Sequence, residues 1–80
     1  MRVTVHITRR PEISDPEGST VLRALQDLGY GEVSRVRFNR EISLDFDGGD
    51  VTTVTERVRE MCNRLLANPV IEDYRIEVET

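Results

Sequence analysis

Several places in this 80-residue chain hold residue types that could do chemistry. The stretch "DFDGGD", Asp45 to Asp50, sets three carboxylates around two glycines and so offers oxygen ligands to a hard cation. It lacks the twelve-residue spacing and terminal Glu of a calcium loop, and a turn followed by a helix cap at Asp50 accounts for the same residues. Gly48 and Gly49 lack the Lys and spacing of a phosphate loop, which leaves only an unspecific backbone nest for an anion at the helix start. Cys62 is the only cysteine and His6 the only histidine. A thiol needs a base beside it to act as a nucleophile, and the two fall on different apparent faces; Cys62 borders an apolar stripe and reads as a buried, inert thiol. One Cys and one distant His make no zinc signature and no intrachain disulfide. Ser19, Ser34 and Ser43 have no recognisable partners. Arg9-Arg10, beside a loop, has the charge to hold a phosphate, although solvated charge explains it as well.

Elements that would position such groups follow from periodicity. "RVTVHIT" alternates, with Val3, Val5 and Ile7 on one side, and predicts a strand with one buried face. After a turn-rich loop, Asp15 caps and Pro16 opens a helix over Pro16 to Leu28, with Val21, Leu22, Leu25 and Leu28 on its apolar stripe and Gly29 as its stop. "EVSRVRFNREISLDFD" has a hairpin pattern, with Val36 and Phe38 before a turn at Asn39-Arg40 and Ile42, Leu44 and Phe46 after it. A second helix runs from the Asp50 cap to Asn68-Pro69 on the stripe Val51, Val54, Val58, Met61, Leu65 and Leu66, because the residue before Pro is pushed out of helical geometry. A last strand carries Tyr74, Ile76 and Val78 on one face. The expected fold is α+β, in the order β-α-β-β-α-β: a ferredoxin-like two-layer sandwich of an antiparallel sheet with two helices on one face, forming one domain over residues 1–80.

Composition narrows the function classes. A net charge of -4 argues against a general nucleic-acid or membrane surface. The strand aromatics Phe38, Phe46 and Tyr74 fall on the core-side pattern rather than on a base-stacking face. No apolar run approaches the ~20 residues of a membrane span, and the start has no secretory apolar region, so a cytoplasmic protein is expected. All eleven basic residues are Arg, the side chain suited to bidentate pairing with carboxylate or phosphate. A chain of this size buries only about 60% of its unfolded surface, so partners, copies of itself or other chains, are the expected source of extra support.

The stretch "MCNRLLANPVIEDYRIEVE", Met61 to Glu79, resembles the C-terminal signature of the PurS family, the small subunit of phosphoribosylformylglycinamidine (FGAM) synthase. "VTVHITRRPEISDPEGSTVLRALQDLGY" is similar to that family's first strand, its Asp-Pro-x-Gly helix start at Asp15 to Gly18, and its Leu-Gly-aromatic helix exit at Leu28 to Tyr30. The resemblance spans essentially the whole chain and is poorest in the middle hairpin. It implies a non-catalytic subunit in purine biosynthesis that forms a dimer or higher oligomer and bridges a glutaminase subunit (PurQ) and an ATP-dependent synthetase subunit (PurL), supporting ammonia transfer. The complex would use ATP, Mg2+ and glutamine, with no cofactor, metal or catalytic residue on this chain. The helix-Pro-strand corner, Asn68, Pro69, Val70, Ile71, Glu72, Asp73 and Tyr74, is the first expected partner interface. Arg9, Arg10, Asp15, Pro16 and Gly18 come second. A small-molecule-binding regulatory module of the same fold is the alternative, since fold does not fix function.

Overall fold

In a computed structural model, which describes residues 1–79, the chain forms β1 (Arg2–Arg9), α1 (Pro16–Asp27), β2 (Arg40–Asp45), α2 (Val51–Met61) and β3 (Glu72–Glu79). The sheet is antiparallel in the order β2-β1-β3, with Val5 facing Ile42 on one side and Ile76 on the other. Alternation dictates the layering: Val3, Val5 and Ile7 point inward, where they meet Val54, Val58, Cys62 and Ala67 in a buried core. Ile42, Leu44, Phe46, Tyr74, Ile76 and Val78 pack half-buried around it. The expected α+β class, antiparallel sheet and two helices are all present.

Both helix starts follow their aspartates. Asp15 Oδ1 accepts the Gly18 amide at 3.2 Å, and Asp50 accepts the Thr53 amide at 3.0 Å and the Thr53 hydroxyl at 2.8 Å. Asp50 is therefore a cap, and Gly48 and Gly49 are the positive-φ turn residues that precede it.

Three features depart from the periodicity. First, α2 gives way at Cys62 to a π-turn over Cys62–Leu66, closed by Ala67 N–H donating to the Cys62 carbonyl. One extra residue per turn rotates the stripe, so Leu66 turns inward while Leu65, expected in the core, is 83% exposed. Val51, expected on the same stripe, is also exposed. Second, α1 buries only Gly18; its stripe residue Leu28 is 74% exposed, and the molecule extends to 49 × 26 × 14 Å.

Third, no hairpin turn forms at Asn39-Arg40. Residues 33–38 run into β2 without a ladder partner, so the sheet has three paired strands rather than four. The reason is parity. A two-residue loop at Asn39-Arg40 would set Phe38 opposite Glu41 and turn Val36 and Phe38 onto the polar face. An unbroken extended segment running into β2 keeps Val36, Phe38, Ile42, Leu44 and Phe46 in one parity, and among the described residues none other than glycine adopts the positive φ that the tight turn demands.

Candidate functional site

The helix-Pro-strand corner is held by a dense set of backbone and side-chain contacts. Asn68 Oδ1 accepts the Val70 amide at 3.0 Å, and the Asn68 carbonyl accepts the amides of Ile71 and Glu72 at 3.2 and 2.8 Å. Asn thus mimics a turn with its own side chain while Pro69 fixes the exit. Glu72 closes the corner by accepting the Asn68 amide at 2.7 Å. Its carboxylate is gripped by Arg40 Nη2 at 2.8 and 2.9 Å, and that guanidinium also reaches the Leu66 carbonyl at 3.4 Å. Burial pushes the Glu72 carboxyl up, but the Asn68 amide and the Arg40 charge outweigh it and hold the group below its ordinary range. Tyr74 donates to Asn63 at 3.0 Å and ties the new strand to the π-turn.

Two expected groups meet here. Arg10 donates to the Pro69 carbonyl at 2.8 Å and pairs with Asp73 at 3.3 Å, while its amide bonds the Ile71 carbonyl at 2.8 Å. Arg9 donates to the Ser14 carbonyl at 2.8 Å. These two arginines therefore brace loops. Asp15 is buried and does two jobs: its Oδ1 caps α1 and its Oδ2 accepts the Phe38 amide at 2.8 Å. The Phe38 and Gly18 amides, in that order, draw its carboxyl below the ordinary carboxylate value. Gly18 is required by proximity, because a methyl group there would collide with the Val36 carbonyl oxygen. Arg9, Asp15, Glu17, Phe38, Arg40 and Glu72 come together around a cleft of about 190 Å³ at this end of the sheet.

Sequence reasoning missed Arg37 and Arg40. Arg37 donates to the carbonyls of Ile13, Arg9 and Arg10 at 3.0–3.2 Å, a three-way clamp on the β1–α1 loop. The signal was the exclusive use of Arg, whose planar fork reaches several acceptors at once; what it could not reveal was which acceptors.

The remaining chemical candidates lie apart. His6 sits on the open sheet face, with Glu77 at 3.5 Å and Glu41 at 3.8 Å, whereas Cys62 is fully buried beneath the opposite face. Burial pushes the Cys62 thiol up, partly offset by Arg59. The arrangement presents a pre-ordered surface: a rigid corner, with Leu65 and Val70 projecting beside it.

Comparison with known proteins matches this geometry to one family. Residues 2–80 match the family model PurS, phosphoribosylformylglycinamidine (FGAM) synthase. The chain is 44% identical over 78 residues to the phosphoribosylformylglycinamidine synthase subunit PurS of Methanocaldococcus jannaschii, covering 98% of this chain and 94% of that protein. It is 42% identical over 78 residues to the Bacillus subtilis subunit, at 98% and 92% coverage. Its structure superposes on the crystal structure of the M. jannaschii PurS subunit with a TM-score of 0.88, at 42% identity over 98% and 94% of the two chains. It also superposes on a chain of the Thermotoga maritima PurLQS structure with a TM-score of 0.86, at 28% identity over 95% and 93%. These likenesses favour an enzyme subunit over a small-molecule regulatory module. The chain belongs to the PurS family of phosphoribosylformylglycinamidine synthase subunits.

Proposed function

We propose that this chain is the non-catalytic small subunit of its synthase: it associates with itself and holds a glutaminase (PurQ) and an ATP-dependent synthetase (PurL) together so that ammonia passes between them. The observation that carries this reading is the likeness, over 95% of the chain, to the T. maritima chain solved within a PurLQS structure. The complex consumes glutamine and ATP with Mg2+ in the cytoplasm, and this chain binds none of them itself.

Placement alone is a sufficient contribution, since a 1 Å error in reactant geometry costs about a hundredfold in rate. A docking surface that is already ordered loses little freedom on binding. The corner fits this need, because Asn68, Glu72, Arg40 and Arg10 lock it in the free chain. Asn68 to Tyr74 forms the primary contact, and Arg9, Arg10, Asp15, Pro16 and Gly18 brace the adjoining loops.

Sedimentation of the three purified subunits with glutamine, ATP and magnesium tests the reading, with one ternary species expected. Pro69→Ala with Asp73→Ala should weaken assembly at least tenfold while the chain stays folded. Unchanged affinity of that variant would remove the corner from the interface.

A further inference from the structure

A cleft of about 500 Å³ lies between the β1–α1 loop and the segment that runs into β2. It gathers Ser14, Ser19 and Ser34, three of the chain's four serines, around Arg35 and Arg37. Among the described residues no partner holds these hydroxyls: only the Ser14 carbonyl, which accepts from Arg9, and the Ser19 amide, which donates to the Asp15 carbonyl, are engaged. The chain carries more acid than base, and six of its arginines sit in ion pairs, yet Arg35 and Arg37 sit in none among the described residues. Arg37 is held instead by the carbonyls of Ile13, Arg9 and Arg10, which fix its guanidinium without neutralising its charge. Two carboxylates also line the cleft. Asp15 has one oxygen on the Gly18 amide and the other on the Phe38 amide, and Glu12 is exposed.

We propose that this cleft binds the phosphate group of a small phosphate monoester, with Arg37 as its fixed charge, Arg35 as its closing grip and the serine hydroxyls as its remaining donors. Each hydroxyl rotates to suit its partner, so each can donate to a different oxygen. A tetrahedral phosphate presents three strong acceptor oxygens to donors that converge from several sides, whereas a carboxylate presents two in one plane. The free fork of Arg35 matches a pair of those oxygens. Ile13, Leu22 and Val36 add an apolar wall for the carbon part of the ligand. A nucleic-acid backbone suits the cleft poorly, because it needs a basic stripe and this chain carries a net charge of -4. The Arg37 clamp already orders the loop, so little freedom is lost when the anion enters. The site is separate from the bridging role proposed above, and neither depends on the other.

Titration of the isotope-labelled full chain with glycerol phosphate, glycerol and inorganic phosphate, followed by NMR at constant ionic strength, tests the site. Glycerol phosphate should shift the amides of Ser14, Ser34, Arg35 and Arg37 saturably, with a Kd of about 1 mM or below, and glycerol should shift none of them. Arg35→Gln should weaken binding about tenfold, the loss of one charge-assisted contact. Glu12→Gln should tighten it about threefold by removing a like charge. Arg37 is left unaltered because it also braces the loop. If Arg35→Gln unfolds, Ser14→Ala with Ser34→Ala takes its place and should weaken binding about fivefold. No saturable shift up to about 10 mM glycerol phosphate overturns the site. A Kd that the cleft variants leave unmoved also overturns it, by putting the anion elsewhere on the chain. Equal affinity for inorganic phosphate overturns the assignment to a monoester. Assembly with the glutaminase and synthetase is read separately by sedimentation, so failure here leaves the bridging role standing.

Discussion

Arg40 holds both carboxylate oxygens of Glu72, at 2.8 and 2.9 Å, and so ties the start of β2 to the start of β3 across 32 residues of sequence. The Glu72 side chain is 11% exposed, the most enclosed carboxylate in an ion pair among the described residues. Arg40→Ala leaves that carboxylate with one amide partner and should cost about 1–3 kcal/mol in urea unfolding. Arg40→Lys should lie between, since an ammonium cannot reproduce the two-oxygen grip. A loss below about 0.5 kcal/mol for Arg40→Ala would show that water replaces the guanidinium at no net cost.

Acid sensitivity follows from the same end of the sheet. Asp15 and Glu72 titrate in the fold below their ordinary values of 3.8 and 4.5. A depressed carboxylate contributes its full stabilisation above the unfolded value and loses it as pH falls through the folded value. Stability should therefore hold steady from neutral pH down to about 5 and fall below that. Asp15→Asn with Glu72→Gln should lower the plateau and flatten the acid limb, as read from denaturant midpoints at a series of pH values. An unchanged acid limb would place the linkage elsewhere.

Gly18 packs where no side chain fits. A methyl group there meets the Val36 carbonyl and lies 2.8 Å from Asp15 Oδ2. Gly18→Ala must push α1 off residues 36–38, at about 1–3 kcal/mol. Loss of protection of the Phe38 amide against hydrogen exchange is the specific readout, because that amide bonds Asp15. A protected Phe38 amide in Gly18→Ala would contradict the packing described.

The π-turn separates two side chains that the pattern treats alike. Val58→Ala empties part of the buried core and should cost about 2 kcal/mol. Leu65→Ser, on a residue that is 83% exposed, should change stability by less than about 0.5 kcal/mol in the isolated chain. A cost above about 2 kcal/mol for Leu65→Ser would put that residue back in the core and the helix back in α register.

Most of the framework was legible in the residues. The alternation of Val3, Val5 and Ile7, that of Tyr74, Ile76 and Val78, the aspartate caps and the Asn68-Pro69 stop are local signals, and each places its element to within a few residues. What resisted reading was set by longer-range terms. The hairpin expectation at Asn39-Arg40 weighed turn residues above the parity of Val36 to Phe46, and parity prevailed. The stripe through Leu65 and Leu66 follows 3.6 residues per turn, and the inserted residue keeps Leu66 inward with Cys62 but turns Leu65 out. The corner residues were found from the sequence, but their anchors Arg37 and Arg40 were not, because a guanidinium that reaches across 24–32 residues leaves no local trace.

Comparing two nitrogen sources separates a chain that places two catalytic subunits, as proposed here, from one that takes part in the chemistry. The glutaminase and synthetase subunits are assayed for FGAM formation with ATP and magnesium, with and without this chain, using either glutamine or added ammonia. Omitting the chain should abolish glutamine-dependent synthesis and leave ammonia-dependent synthesis in place. Equal loss of both activities would contradict that expectation by placing residues of this chain in the synthetase step, and full glutamine-dependent synthesis without the chain would contradict the bridging role outright.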